Sequence, residues 1–442
     1  MKKLLFFLLL LTMQPTYGKH IMLEAVYKNS TLYPGTERKY WVYVPDQYKS
    51  QQEACLFMIF DGIQCNAPDV FDELIAEGKM PVTIGVFMEP GKIRNTEGEV
   101  LRYNRSNEYD MTDNRMTKFL EQELFPAVES MTTPDGRQIK FSHQANDCAI
   151  FGLSSGGIAS FNAAWQRPDM FSRVFSAVGT FVPFRGGNNI QAIVRKTEPL
   201  PLRIFLQDGS NDSWNPLFGS WYEANRMLES ALLFSGYELK CDWTDGGHNG
   251  QRATEIFKDV VTWLWQGWPS PVKTGLTQNN LLKPLLIPGE TWVIDNSLSE
   301  AFQKRHGKYD AIYPDGSIAV KRQKGTNCLW QYILDKNGKA TFGQRFYWLH
   351  TMDNAQLDIW DMDYDSNGNL FVTTPWGIQV CDQNGRVRGI LRWRSDMVMP
   401  IKAFQIEKGR LLVKDGNKRI FVRKFNVKPA TPGTRPKSQK QG

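Results

Sequence analysis

Gly152-Leu153-Ser154-Ser155-Gly156 reads G-x-S-x-G. Its flanks decide the fold. The apolar run Cys148-Ala149-Ile150-Phe151 leads in, and a helix-compatible stretch, Gly157 to Gln166, leads out. Strand, serine at a sharp turn, then helix is the order of a nucleophile elbow. The strained turn lifts the hydroxyl above the sheet, and the flanking glycines let strand and helix approach. The new helix aims its first amides at developing negative charge. A Gly/Ser-rich strand–helix turn can also be merely structural, so the reading depends on partners.

The chain has five His. His20 lies near the N-terminus, His143 in a polar turn, and His306 and His350 far downstream in a different kind of sequence. His248 remains, in Asp245-Gly246-Gly247-His248-Asn249-Gly250. A Gly-rich loop before a last helix suits a general base. The acid belongs between Ser and His in chain order. Asp208-Gly209-Ser210-Asn211-Asp212 follows an apolar strand, and either Asp could orient the imidazole. Asp208 directly follows the strand and can brace the turn, so Asp212 is preferred. For the oxyanion, Ser155 N–H is one natural donor. Phe60-Asp61-Gly62-Ile63-Gln64 follows an early strand and makes Ile63 N–H the second, against the alternative of an ordinary Asp-Gly turn.

Outward from the serine, strand-like runs alternate with helical ones. Tyr40 to Val44, Leu56 to Phe60, Val82 to Phe87 and Arg203 to Leu206 are rich in β-formers. Met116 to Glu129, Trp221 to Phe234 and Ile256 to Trp265 are amphipathic. Alternation of this kind predicts a mainly parallel sheet covered on both faces, an α/β three-layer sandwich over residues 19–268. Gly267-Trp268-Pro269-Ser270-Pro271 reads as a linker. Beyond it, short strands are separated by polar turns. Tyr313 to Val320 resembles Tyr364 to Val372, Leu334 to Lys339 resembles Cys381 to Arg386, and Ile406 to Val413 is a third copy. Repeats with turn glycines at 316, 368 and 409 suggest propeller-type blades over residues 269–428, an all-β module, although a β-meander would share them. The Pro-, Lys- and Gln-rich tail, 429–442, reads as disordered.

The chain has 442 residues, 41% hydrophobic and 22% charged. That length implies two or three domains. The composition excludes a disordered, collagen-like or coiled-coil protein. Lys2 and Lys3, the apolar run Leu4 to Leu11, and Thr16-Tyr17-Gly18 read as a signal peptide, residues 1–18, cut after Gly18. The run is short of the roughly 20 apolar residues of a membrane span. The mature protein is therefore expected to be exported, to the periplasm or beyond, with no membrane span. None of the six Cys forms a C-x-x-C pair, so no zinc site is expected, and neither the reaction nor the fold calls for a cofactor. Disulfides among Cys55, Cys65, Cys148 and Cys241 and buried free thiols both stand open.

Residues from about 30 to 268 resemble the esterase family of α/β hydrolases that includes enterochelin, feruloyl and acetyl-xylan esterases. The likeness rests on Y-P-G-T-E-R-K-Y-W-V-Y-V-P (Tyr33 to Pro45), F-D-G-I-Q (Phe60 to Gln64) and N-R-S-N-E-Y-D (Asn104 to Asp110). It continues in F-G-L-S-S-G-G (Phe151 to Gly157), F-L-Q-D-G-S-N-D (Phe205 to Asp212) and G-G-H-N (Gly246 to Asn249). The resemblance implies a triad of Ser154, Asp212 and His248, with an amide at Ile63 completing the oxyanion hole. The second module is similar to gluconolactonase/regucalcin propellers around Ile359 to Asp363 and Gly377 to Val380. It departs from them in length, since six blades of roughly forty residues do not fit. A borrowed calcium site would have to use Asp361. The edges of a partial propeller would have to pack on the first module or on a second chain, a route to self-association.

These readings predict a secreted serine carbohydrate esterase acting on an esterified polysaccharide or oligosaccharide. Methyl esters of pectin-type uronates are preferred, with acetyl or feruloyl esters close behind. A siderophore esterase and a non-catalytic glycan-binding protein are the alternatives. Arg185, in a polar loop, could grip a carboxylate bidentately. Arg105 is a second candidate contact, although with Glu108 in the same motif a structural pair is the plainer reading. Trp214, Trp221 and Trp243 could stack on sugar, but core packing suits at least two of them.

The net charge of +7 invites thoughts of nucleic acid, but its distribution does not. Residues 19–268 hold 24 Lys and Arg against 31 Asp and Glu, a net of −7. Residues 269–442 hold 27 against 15, a net of +12. No nucleic-acid partner is expected. Mutual attraction of the two modules competes with binding of an anionic polymer as the use of that charge.

Overall fold

A computed structural model describes residues 20–298, 302, 308–352 and 356–438. The expected signal peptide, His306 and the last four residues lie outside the described residues. Among the described residues no helix is long and apolar enough to cross a membrane.

Eight strands form the central sheet. They are β1 (Ile21–Tyr27), β2 (Arg38–Val44), β3 (Cys55–Phe60), β4 (Thr83–Met88), β5 (Cys148–Leu153), β6 (Arg173–Ala177), β7 (Arg203–Gly209) and β8 (Glu238–Thr244). Their spatial order is β1-β2-β4-β3-β5-β6-β7-β8. β2 runs antiparallel to both its neighbours, β1 and β4, and the six strands from β4 to β8 in that order run parallel. Because side chains alternate along a strand, β3 feeds both faces. Leu56, Met58 and Phe60 enter one core. Cys55, Phe57 and Ile59 enter the other. The second core also takes Phe71 and Phe257, from helices α1 (Ala67–Ala76) and α5 (Gln251–Trp265). The first face carries the short helix α2 (Arg105–Tyr109), α3 (Ser155–Gln166) and α4 (Trp221–Ser235).

Every residue of α3 is buried. One side rests on the sheet, and part of the other is covered by the second module. Arg392 donates to Gln166 O at 3.0 Å and lies 4.9 Å from the Trp165 ring centre.

That module contains three four-stranded antiparallel sheets. One joins Ala311–Ile312, Ile318–Arg322, Cys328–Leu334 and Ala340–Trp348. The next joins Met362–Tyr364, Leu370–Thr374, Gly377–Cys381 and Val387–Leu391. In the last, Ala403–Glu407, Arg410–Lys414 and Ile420–Lys424 are completed by Val293–Ile294 from the module's own start. Gly316, Gly368 and Gly409 each turn the first hairpin of a sheet at positive φ. Asp361 accepts from the amides of Met362 and Phe404, at 2.9 and 2.7 Å, and so ties strands together.

The modules share one apolar core. Thr197 and Ile390 bridge in parallel. Glu198 receives both terminal nitrogens of Arg423, at 3.0 and 2.7 Å, and the Arg392 amide at 2.7 Å. So the acidic first module and the basic second one meet through a buried ion pair. The edge strand Val387–Leu391 packs on the first module, one of the two fates expected for it. All six cysteines are free. The described part of the tail makes isolated hydrogen bonds. Ala430 N donates to Tyr364 O, Gly433 N to Pro314 O, and Gln383 Nε2 to Lys437 O. A proline-rich chain that cannot form a regular ladder is held by isolated bonds instead.

Candidate active site

The chemistry-bearing loops all leave the carboxyl ends of parallel strands, where an open α/β sheet offers a crevice. Ser154 follows β5. It sits at φ 59 and ψ −118, a conformation costly for a non-glycine residue. The turn is held by Ser154 N donating to Ala177 O at 2.9 Å and Thr180 N donating to Ser154 O at 3.1 Å. A Cβ on Gly152 would run into the backbone of Gly156, which is why strand and helix can approach so closely there.

Asp212 lies on the loop after β7, and His248 lies after β8. A Cβ on Gly209 would strike the Gly246 backbone, so the two loops touch. His248 Nε2 stands 2.8 Å from Ser154 Oγ. His248 Nδ1 stands 2.6 Å from Asp212 Oδ1. That oxygen also accepts from Ser213 N. The Asp212 side chain is fully shielded from water, while that of His248 is 29% exposed. Burial would push the Asp212 carboxyl up, but the hydrogen bonds with His248 and Ser213 help hold it below its ordinary range. The arrangement can pass a proton from the hydroxyl to an imidazole whose tautomer is fixed from behind.

Thr180, and its link to Trp221, were not read from the sequence. Thr180 Oγ1 lies 3.3 Å from Ser154 Oγ and accepts from Trp221 Nε1 at 3.2 Å. Trp221 also stands edge-on to His248, 6.0 Å between ring centres. Trp221 thus packs beside the site, and Trp243 donates to Glu229. Trp214 is 71% exposed on a short hairpin, Trp214–Asn215 with Gly219–Ser220. Among the described residues no hydrogen bond or ring contact links it to Ser154.

The amides of Ile63 and Ser155 have no hydrogen-bond acceptor among the described residues. Asp61 beside Ile63 is gripped by Arg105 through Nε and Nη2, at 2.7 and 2.8 Å, and Arg105 also reaches Leu153 O at 3.2 Å. Arg105 is therefore engaged by protein, and its partner is Asp61 rather than Glu108. Glu108 instead takes Arg38 bidentately in a site closed to solvent on both sides. Opposite charges in two separate motifs, F-D-G-I-Q and N-R-S-N-E-Y-D, were the available signal. Arg185 is exposed, donates to Ser106 Oγ at 3.3 Å and forms no ion pair among the described residues. Its neighbour Phe184 meets Phe218 and Trp221 edge-on, at 4.3 and 5.6 Å. No cluster of His, Cys, Asp and Glu able to hold a metal ion occurs among the described residues.

Residues 31–263 match a family model described as "Putative esterase". Among solved structures, a ferulic acid esterase is 17% identical, at TM-score 0.42, over 56% of this chain and 98% of its own. The enterobactin esterase FES from Shigella flexneri, with enterobactin, is 19% identical at TM-score 0.44, over 56% of this chain and 59% of its own. The feruloyl esterase module from Clostridium thermocellum, complexed with sinapinate, is 13% identical at TM-score 0.40, over 57% and 90%. The chain thus spans 59% of the length of the Shigella protein. No curated protein matches the chain.

Proposed function

The chain belongs to the esterase family and is a carboxylic ester hydrolase, and from that premise we propose an exported serine esterase that removes ester groups from a polysaccharide. The observation that carries this reading is the continuous hydrogen-bonded line Ser154–His248–Asp212 at the carboxyl ends of β5, β8 and β7. Ser154 Oγ attacks the ester carbonyl as His248 Nε2 takes its proton. The tetrahedral oxyanion lies against the free amides of Ser155 and Ile63. His248 then returns the proton to the leaving alcohol, and water releases the acyl group by the same path in reverse. Asp212 holds the imidazole tautomer and stabilises its cation.

Methyl esters of pectin-type uronates are the preferred substrate. The support is Arg185, an exposed guanidinium that forms no ion pair among the described residues and has only the buried Asp110 carboxyl as an electrostatic neighbour, on a loop beside the site and suited to the free carboxylate of a neighbouring uronate. The aromatic group Phe184, Phe218 and Trp221 next to His248 favours a feruloyl-type ester as the second reading. Incubating wild type and Ser154→Ala with pectin, acetylated xylan and feruloylated arabinoxylan, and measuring methanol, acetate and ferulate, decides between them. Release of none of the three by wild type defeats the polysaccharide reading. Cleavage of a tri-lactone instead would move the substrate to the siderophore class. The second module's three sheets are read as a partial propeller that braces the catalytic module.

A further inference from the structure

Asp208 takes no part in the line from serine to Asp212, yet it is fully buried at the end of β7. It accepts from Gly209 N at 2.7 Å and from Asn225 Nδ2 at 2.8 Å. Asn225, also fully buried on α4, donates in addition to Gly179 O and Trp221 O. Trp243 of β8 is the register neighbour. The charged groups around Asp208 are Asp212 and, one bond further, His248; no Lys or Arg pairs with it among the described residues. Asp212 Oδ2 is buried and receives no N–H among the described residues. Asp212 N donates to Gly209 O at 2.9 Å, a turn that folds Asp212 back over the strand end carrying Asp208.

Two ionised carboxylates in such a place would repel each other with no cation to offset them. One proton between them removes the repulsion and supplies the donor that Oδ2 lacks. Burial, then the Asp212 hydrogen bond and charge, push the Asp208 carboxyl well above the usual range, while Asp212 moves the other way. Asp212 keeps the charge because His248 and Ser213 also donate to it.

We propose that Asp208 is a positioning residue whose protonated carboxyl donates to Oδ2 of Asp212. It fixes the rotation of the Asp212 carboxylate, and through it the plane of His248, without touching substrate. The proposal rests on reading Ser154, His248 and Asp212 as the reacting groups. It assigns a buried acid that stays neutral at working pH so that it can donate.

The test uses the full chain, p-nitrophenyl acetate as probe, and the variants Asp208→Asn and Asp208→Ala. The Asn amide can donate where the acid did. Asp208→Asn therefore keeps kcat within about threefold, whereas Asp208→Ala loses about ten- to a hundredfold in kcat with KM little changed. The infrared difference spectrum of wild type minus Asp208→Asn at neutral pH shows the carbonyl stretch of a protonated carboxyl. Equal loss in both variants, wild-type kcat in Asp208→Ala, or absence of that band overturns the proposal. If Asp208→Ala does not fold, the band and the Asp208→Asn kinetics still decide. If wild type cleaves no ester, the functional reading fails separately, and the band alone tests the proton.

Discussion

Arg105 holds Asp61 by two parallel hydrogen bonds, at 2.7 and 2.8 Å, and touches Leu153 O with the same guanidinium. One side chain thus fixes the loop bearing Ile63 against the strand end that precedes Ser154. Substituting Arg105→Ala frees the Ile63 amide to drift. The expected result is a fall in kcat of about tenfold or more, bounded by the 10²–10³ of losing an oxyanion donor outright. Lysine restores little, because it cannot make the bidentate grip. Steady-state kinetics on a small neutral ester checks this, since a substrate-binding role would raise KM instead.

Arg185 makes the contrasting case. Its guanidinium donates to Ser106 Oγ and the Met111 sulfur, at 3.3 and 3.9 Å, feels the buried Asp110 carboxyl, and forms no ion pair among the described residues. Arg185→Ala should raise KM about tenfold for a partly methyl-esterified oligouronate, the worth of one exposed charge-assisted contact. It should leave p-nitrophenyl acetate kinetics unchanged. Equal KM values on the oligouronate would remove the uronate preference.

The Glu198–Arg423 pair is 10% and 8% exposed at its side chains. Removing one partner strands a buried charge. Arg423→Ala is expected to cost about 3–5 kcal/mol, measured by urea unfolding. Replacing both residues with methionine should recover much of that loss.

A carboxyl whose pKa is raised on folding, as burial and Asp212 raise that of Asp208, favours the folded state below the unfolded value and loses that advantage as pH rises. The unfolded value is about 3.9. From there upward through neutral pH, the folded chain keeps a proton that the unfolded chain releases. Wild type should therefore lose stability relative to Asp208→Asn as pH rises, by at most about 1.4 kcal/mol per pH unit. Paired urea titrations at pH 5 and pH 8 check the sign.

The strands buried on both faces were legible because such strands read as continuous apolar runs, as β3 and β5 do. The expected runs fall within β2, β3, β5 and β7, and that at β4 is offset by one residue. Three strands carried no such signal. β1 is a half-buried edge interrupted by Glu24, β6 is only five residues long and begins with the buried Arg173, and β8 is a polar edge strand. The last helix starts at Gln251, ahead of the expected Ile256, because its first turn is polar and α-helical starts of that kind leave no apolar period. Ser154, Asp212 and His248 were readable from loop chemistry and chain order. Their supports were not. Trp221 and Thr180 are brought together by the fold across 41 residues, and Glu198 and Arg423 across 225. Nor does a two-residue strand such as Val293–Ile294 announce that it will complete a sheet formed by residues more than a hundred positions downstream.

In the proposed reaction Ser154 is the nucleophile. Treatment of the purified full-length protein with a fluorophosphonate, followed by peptide mass spectrometry, tests it most directly. The expected result is one phosphonyl group on Ser154, parallel loss of ester hydrolysis, and no labelling in Ser154→Ala or His248→Ala. Undiminished hydrolysis by Ser154→Ala, or a label on another serine that tracks the lost activity, would contradict it.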